Sequence, residues 1–130
     1  LADPVSGDLF VVSKQLVGRS GAYRIPAGAE PGGTTTMARV SDVGVDPGAL
    51  VTGGDVSLDG SVVALRTYTG VLLFQRADDE TVSDALAGTP CQAPAPAEVQ
   101  GEALAFDPDG RGYVTISEGA NPAINHFRLP

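Results

Sequence analysis

Asp107-Pro108-Asp109-Gly110-Arg111-Gly112-Tyr113-Val114-Thr115-Ile116 decides the fold. A polar turn ends in glycine and opens into a run of β-branched and aromatic residues. Proline suits the second position of such a turn, and glycine supplies the left-handed residue near its end. Two other stretches are built alike: Asp3-Pro4-Val5-Ser6-Gly7-Asp8-Leu9-Phe10-Val11-Val12 and Ser57-Leu58-Asp59-Gly60-Ser61-Val62-Val63-Ala64-Leu65. Gly7, Gly60 and Gly110 lie 53 and 50 residues apart. A second landmark keeps the same beat. Tyr23-Arg24-Ile25-Pro26 and Phe127-Arg128-Leu129-Pro130 are near copies, with Leu73-Phe74-Gln75-Arg76 between them. Two landmarks with one period indicate a repeat architecture.

Each repeat reads as a series of short strands. In the third these are 103–106, 112–117 and 123–129; in the middle one 54–57, 61–67 and 71–76; in the first 8–13 and 22–25. A fourth, outer strand is expected at 34–40. Its counterpart at 81–86 reads equally well as a short helix. Four antiparallel strands per repeat of this length match one blade of a β-propeller, which buries its faces by stacking on neighbouring blades. The expectation is therefore an all-β chain forming a partial β-propeller. It has about three four-stranded antiparallel blades, with approximate repeats 1–50, 51–100 and 101–130 in a single domain. Complete propellers use about 4–8 blades, so the array is expected to be incomplete at both ends. It is read either as part of a longer propeller or as a protomer that closes a ring by assembling with copies of itself.

Composition agrees with many turns and strands. Of 130 residues, 17 are glycine and 10 are proline, and 42 % are hydrophobic. The net charge of −8 argues against a face that neutralises nucleic-acid phosphates or docks on anionic lipid. No apolar run approaches the roughly 20 residues of a membrane-spanning helix. One Cys excludes a disulfide framework within the chain, and one His excludes a multi-histidine metal site.

The segments Gly101-Glu102-Ala103-Leu104-Ala105-Phe106-Asp107-Pro108-Asp109-Gly110 and Ser117-Glu118-Gly119 resemble repeats of secreted bacterial propellers of the phytase-like, NHL-like and gluconolactonase-like groups. That resemblance implies an extracellular or cell-envelope location. It also implies that a Glu at the start of an inner strand can bind a divalent ion or orient a catalytic water. Fold, more than activity, is what such a resemblance carries.

Three carboxylates are the candidate ligand-binding residues: Glu102, Asp55 and Glu118. Glu102 stands at the start of an inner strand, where the middle repeat has Thr52. Asp55 points to the same region and is not demanded by the fold, since its counterpart is Ala105. Glu118 follows a second strand at a blade rim. As metal ligands, Glu102 and Asp55 would favour calcium through oxygen-only coordination. Asp55 also opens a stretch with calcium-loop oxygen spacing, but its twelfth position is Arg66, a cation where the loop needs a bidentate Glu.

No catalytic set is complete in the sequence. His126 falls in a strand and no G-x-S-x-G is present. Arg24 and Arg128, at equivalent places, are expected to bridge between blades. Cys91 lies in a Pro-rich stretch, read as an extended loop, and is either free or paired with a cysteine outside the chain. The leading expectation is a ligand- or protein-binding or scaffolding module without a cofactor. The alternatives are a metal-dependent hydrolase with a divalent ion in the channel, and a self-assembling partial propeller.

Overall fold

The computed structural model describes residues 1–30 and 32–129. Among the described residues, polar turns and strand-forming runs alternate to give ten strands and one short helix. The first sheet is β1 (Leu9–Val12), β2 (Gly21–Ile25) and β3 (Ala38–Asp42), with Ala2 forming an isolated bridge to Leu9 on its inner side. The second is β4 (Val51–Val56), β5 (Val62–Thr67), β6 (Val71–Gln75) and β7 (Cys91–Ala93). The third is β8 (Gly101–Phe106), β9 (Gly112–Ser117) and β10 (Ile124–Arg128). All pairings are antiparallel between neighbours in sequence. The chain is thus all-β with three meandering sheets. The expected four strands are present in the middle sheet, and three in each of the others.

The glycine turns that announced the repeat join the first two strands of a unit. Gly60 and Gly110 adopt φ of +77° and +68°, and each donates its N–H three residues back, to Ser57 and Asp107. Asp59 and Asp109 pin the turns by accepting from the N–H groups of Ser61 and Arg111. A side chain added at either glycine would strain the left-handed backbone. In the first turn the glycine comes one position later, since Gly7 donates to Asp3 four residues back. Asp3, Ser57 and Asp107 each donate to the residue five positions on, so they are the structural counterparts. The true offsets are therefore 54 and 50, not the 53 and 50 of the glycines.

The helix α1 (Val82–Ala87) occupies the segment whose sequence fits either helix or strand. Thr81 caps its N-terminus in a reciprocal capping box with Asp84, and Val82, Ala85 and Leu86 form one buried face. The outer strand of the middle sheet is β7 instead, within the Pro-rich stretch read as a loop. Its place at the sheet edge tolerates the flanking prolines. The outer strand of the first sheet lies at Ala38–Asp42 and not at 34–40.

Alternation along each strand sends successive side chains to opposite faces. Phe10 and Ala22 of the first sheet meet Val63, Leu65 and Phe74 of the second, with α1 contributing Val82 and Leu86. Ala64, Val71 and Leu73, on the reverse of the second sheet, meet Leu104 and Tyr113 of the third. The Tyr113 and Phe127 rings stack at 5.4 Å, and Tyr113 donates its hydroxyl to the Pro94 carbonyl.

β4 and β8 run alongside one another. Thr52 donates to the Gly101 carbonyl at 2.7 Å, and Asp55 accepts from the Phe106 N–H at 2.9 Å. A Cβ at Gly53 would sit 2.5 Å from the Glu102 carbonyl oxygen, so only glycine permits this approach. Among the described residues no helix is long and apolar enough to cross a membrane.

Candidate functional site

Both inner strands carry an irregularity at the same place. The pairing shifts register between Val51 and Gly53 in β4, and between Gly101 and Ala103 in β8. A bulge leaves its extra residue unpaired and re-aims its side chain. The residues so released are Thr52 and Glu102, the pair matched by the repeat.

Glu102 meets side chains from both other sheets. Tyr68, in the loop from β5 to β6, donates its hydroxyl to Glu102 Oε1 at 2.8 Å. Lys14, just beyond β1, donates to the Tyr68 oxygen at 2.6 Å and lies 3.6 Å from Glu102 Oε1. Its ammonium stands 4.4 Å from the Tyr68 ring centroid. The Gln100 amide donates a second hydrogen bond to Oε1 at 3.2 Å. Ammonium, phenol and carboxylate therefore form a chain that spans the three sheets at one end of the stack. With the offsets of 54 and 50, Lys14, Tyr68 and Glu118 are counterparts, each one residue or two past the end of an equivalent strand.

Electrostatics follow from these contacts. The Tyr68 hydroxyl first, then the Gln100 amide and the nearby Lys14 charge, hold the Glu102 carboxyl below its ordinary value. The Tyr68 bond, seconded by the charge of Glu102, raises Lys14. At neutral pH the site is a preformed cation–hydroxyl–carboxylate relay, partly open to water.

A cleft of about 240 Å³ lies beside it between the first two sheets. Leu1, Phe10, Val12 and Leu65 supply apolar wall, and Thr52 and Gly53 border β8 and the Glu102 backbone. Its surface divides between apolar and polar groups, which suits a small amphiphilic ligand.

The other candidate carboxylates are placed differently. Asp55 uses both oxygens on backbone, accepting from the Val56 and Phe106 N–H groups. It fastens β4 to β8 and shares no hydrogen-bond partner with Glu102. Glu118 is exposed, and its N–H donates to the Gln100 carbonyl, so it flanks the cluster through Gln100. Among the described residues no group of three or more His, Cys, Asp or Glu converges as a metal site would.

His126 sits on β10 beside Asp107 at 2.6 Å. Arg24 and Arg128 do not bridge between sheets. Each pairs inside its own sheet, with Asp8 at 2.5 Å and Asp109 at 3.4 Å, because both face the turn that begins the neighbouring strand. Besides Lys14 with Glu102, the bridges between sheets come from Arg76, to Asp3 at 2.8 Å, and Arg66, to Glu98 at 2.9 Å. Cys91 is exposed on β7.

Sequence reasoning singled out Glu102 through its match to Thr52. It missed Lys14, Tyr68 and Gln100. The repeat itself held a signal for two of them, since Lys14 and Tyr68 are counterparts once the later glycine of the first turn is allowed for. No protein-family model matches the chain, and no curated protein is significantly similar to it.

Proposed function

We propose that the chain is part of a β-propeller array and serves as a ligand- or protein-binding module, with its site at the end where Lys14, Tyr68 and Glu102 meet. The observation that carries this reading is convergence: one side chain from each of three stacked sheets, beside a cleft of about 240 Å³ with both apolar and polar walls. Loops gathered at one end of a rigid stack are where binding residues concentrate. Sheets packed face to face at a repeat of about 50 residues support the propeller architecture. The resemblance to secreted bacterial propellers supports an extracellular or envelope location.

In this reading the relay presents a carboxylate and an ammonium at fixed spacing. Both bond the same hydroxyl, so a ligand hydroxyl can replace water around them without reorganising the site. Hydroxyl-rich small molecules and peptide backbones fit that chemistry.

The test is a titration of the labelled protein followed by amide chemical shifts, using a panel of oligosaccharides and short peptides. Saturable shifts confined to the residues around Lys14, Tyr68 and Glu102, lost in Tyr68→Phe, are expected. Shifts clustered elsewhere would refute the site. The hydrolase alternative is addressed by calcium calorimetry on wild type and Glu102→Ala. No calcium-binding heat in the wild type would remove the enzymatic reading.

A further inference from the structure

The middle sheet is covered on both faces, and its neighbours are each covered on one. The counterparts make the contrast quantitative. Leu9, Val63 and Tyr113 are equivalent by the offsets of 54 and 50. Val63 and Tyr113 are 0 % exposed, each against the sheet before it, whereas Leu9 is 48 % exposed. Val11, two residues along the same face, is 44 % exposed, while its counterparts Leu65 and Thr115 are 1 % exposed. Register puts Tyr23 and Ile25 opposite Val11 and Leu9, so the uncovered face is apolar across two strands.

The third sheet shows the complement. Its uncovered face carries Ala103, Ala105, Val114, Ile116 and Ile124, which line an apolar trough of about 180 Å³. Val114 is the counterpart of Ala64, which is 0 % exposed beneath the third sheet; Ile124 is 70 % exposed.

Each uncovered face thus repeats the chemistry of one side of an interface already made within the chain. What covers the reverse of the second sheet is the front of the third. The front of the first sheet is the same kind of surface, and it is free.

We infer that these faces dock on each other between copies, the third sheet of one chain packing against the first sheet of the next. The chain carries both halves of the contact, so a second copy completes it without another component. Such a contact is head-to-tail, and it propagates until a ring closes. Two polar fasteners of the internal joint have apolar replacements at the new one: Ala105 stands for Asp55, and Ile116 for Arg66. The contact is therefore weaker than the internal joint and depends on concentration. The inference rests on the stacked-sheet part of the proposed function and not on the loop-end site.

The experiment is sedimentation velocity at micromolar and higher concentrations, with Val11→Asp and Ile124→Asp as two separate variants. Both positions are exposed, and circular dichroism confirms the fold. Leu9→Asp and Ala105→Asp repeat the pair at neighbouring positions on the same faces. Wild type is expected to grow in mass with concentration, and each variant to stay monomeric. An equimolar mixture of a first-sheet and a third-sheet variant keeps one intact face on each chain, so it should stop at a dimer.

A monomeric wild type overturns the inference and hands the faces to another occupant, such as further sheets of the same kind. Ligand-induced shifts at Lys14 and Tyr68 would survive that result, which separates its failure from that of the proposed function. Association of Val11→Asp alone also overturns it, because the contact would then not be head-to-tail.

Discussion

The two joints between sheets are made differently. The first surrounds Phe10, Val63, Leu65 and Phe74 with the buried face of α1, and its ion pair, Arg76 with Asp3, is 9 % and 3 % exposed beside a surface cleft. The second has a smaller apolar cluster and places its ion pair within it. Arg66 is 0 % exposed, and the Glu98 side chain 4 %. Glu98 also accepts from Thr115 at 2.9 Å and Asn125 at 2.9 Å. Arg66 Nη2 reaches Glu98, while its Nε and Nη1 are buried with no hydrogen-bond partner among the described residues. Both joints thus carry an ion pair at most 9 % exposed, and they differ in how much apolar surface surrounds it. Apolar area is stabilising but tolerates sliding. A buried ion pair gives less net stability, because desolvation offsets attraction, yet it is costly to break.

The largest expected effects separate the joints by kind. Phe74→Ala empties the first joint and should cost about 3–5 kcal/mol in urea unfolding. Glu98→Ala strands the Arg66 charge and should cost a similar amount, about 3–5 kcal/mol. The double change Arg66→Met with Glu98→Leu should then recover that loss, ending neutral or more stable than wild type by about 1–4 kcal/mol. A double variant as unstable as Glu98→Ala would show that the pair is a net source of stability, and the contrast between the joints would collapse.

Acid should weaken the first joint through Asp3. Burial raises this carboxyl, but bonds from Ser6, Arg76 and the Val5 N–H outweigh it and hold the value below the ordinary 3.8. A carboxylate depressed on folding contributes stability that is fully present above its unfolded pKa and lost as pH falls through the folded value. Stability should therefore decline below about pH 4, and Asp3→Asn should flatten that decline relative to wild type. An unchanged acid limb would remove Asp3 from the account.

Thr81→Ala removes the cap of the helix that thickens the first joint and should cost about 1 kcal/mol by thermal or urea unfolding. Arg128→Ala breaks an exposed pair that belongs to neither joint and should cost less than about 0.5 kcal/mol.

What was readable in the sequence follows the same division. Turns and their following strands were legible because glycine, proline and aspartate act locally. The period of about 50 residues then predicted repeated sheets. β7 was hidden because three residues between prolines carry no strand pattern; its partner β6 makes it a strand. The glycine landmarks disguised the true offset, because Gly7 comes one position later in its turn than Gly60 and Gly110, and with it the equivalence of Lys14, Tyr68 and Glu118. Glu102 was found by aligning repeats, but its neighbours arrive from other sheets. The bulge that frees it depends on pairing with β9. Arg66 was read only as the residue that spoils a calcium loop. Its partner Glu98 lies 32 positions away, and no local rule joins them.

Proton–proton contacts in an isotope-labelled sample test the central claim, face-to-face stacking in sequence order, most directly. In the Ile124→Asp variant, which lacks the contact between copies, face-to-face stacking predicts cross-peaks between Gly53 and Ala103 and between the Val63 and Phe10 side chains, with none joining β1, β2 or β3 to β9 or β10. Cross-peaks placing β10 against β1 in that variant, as in a single closed sandwich, would contradict it.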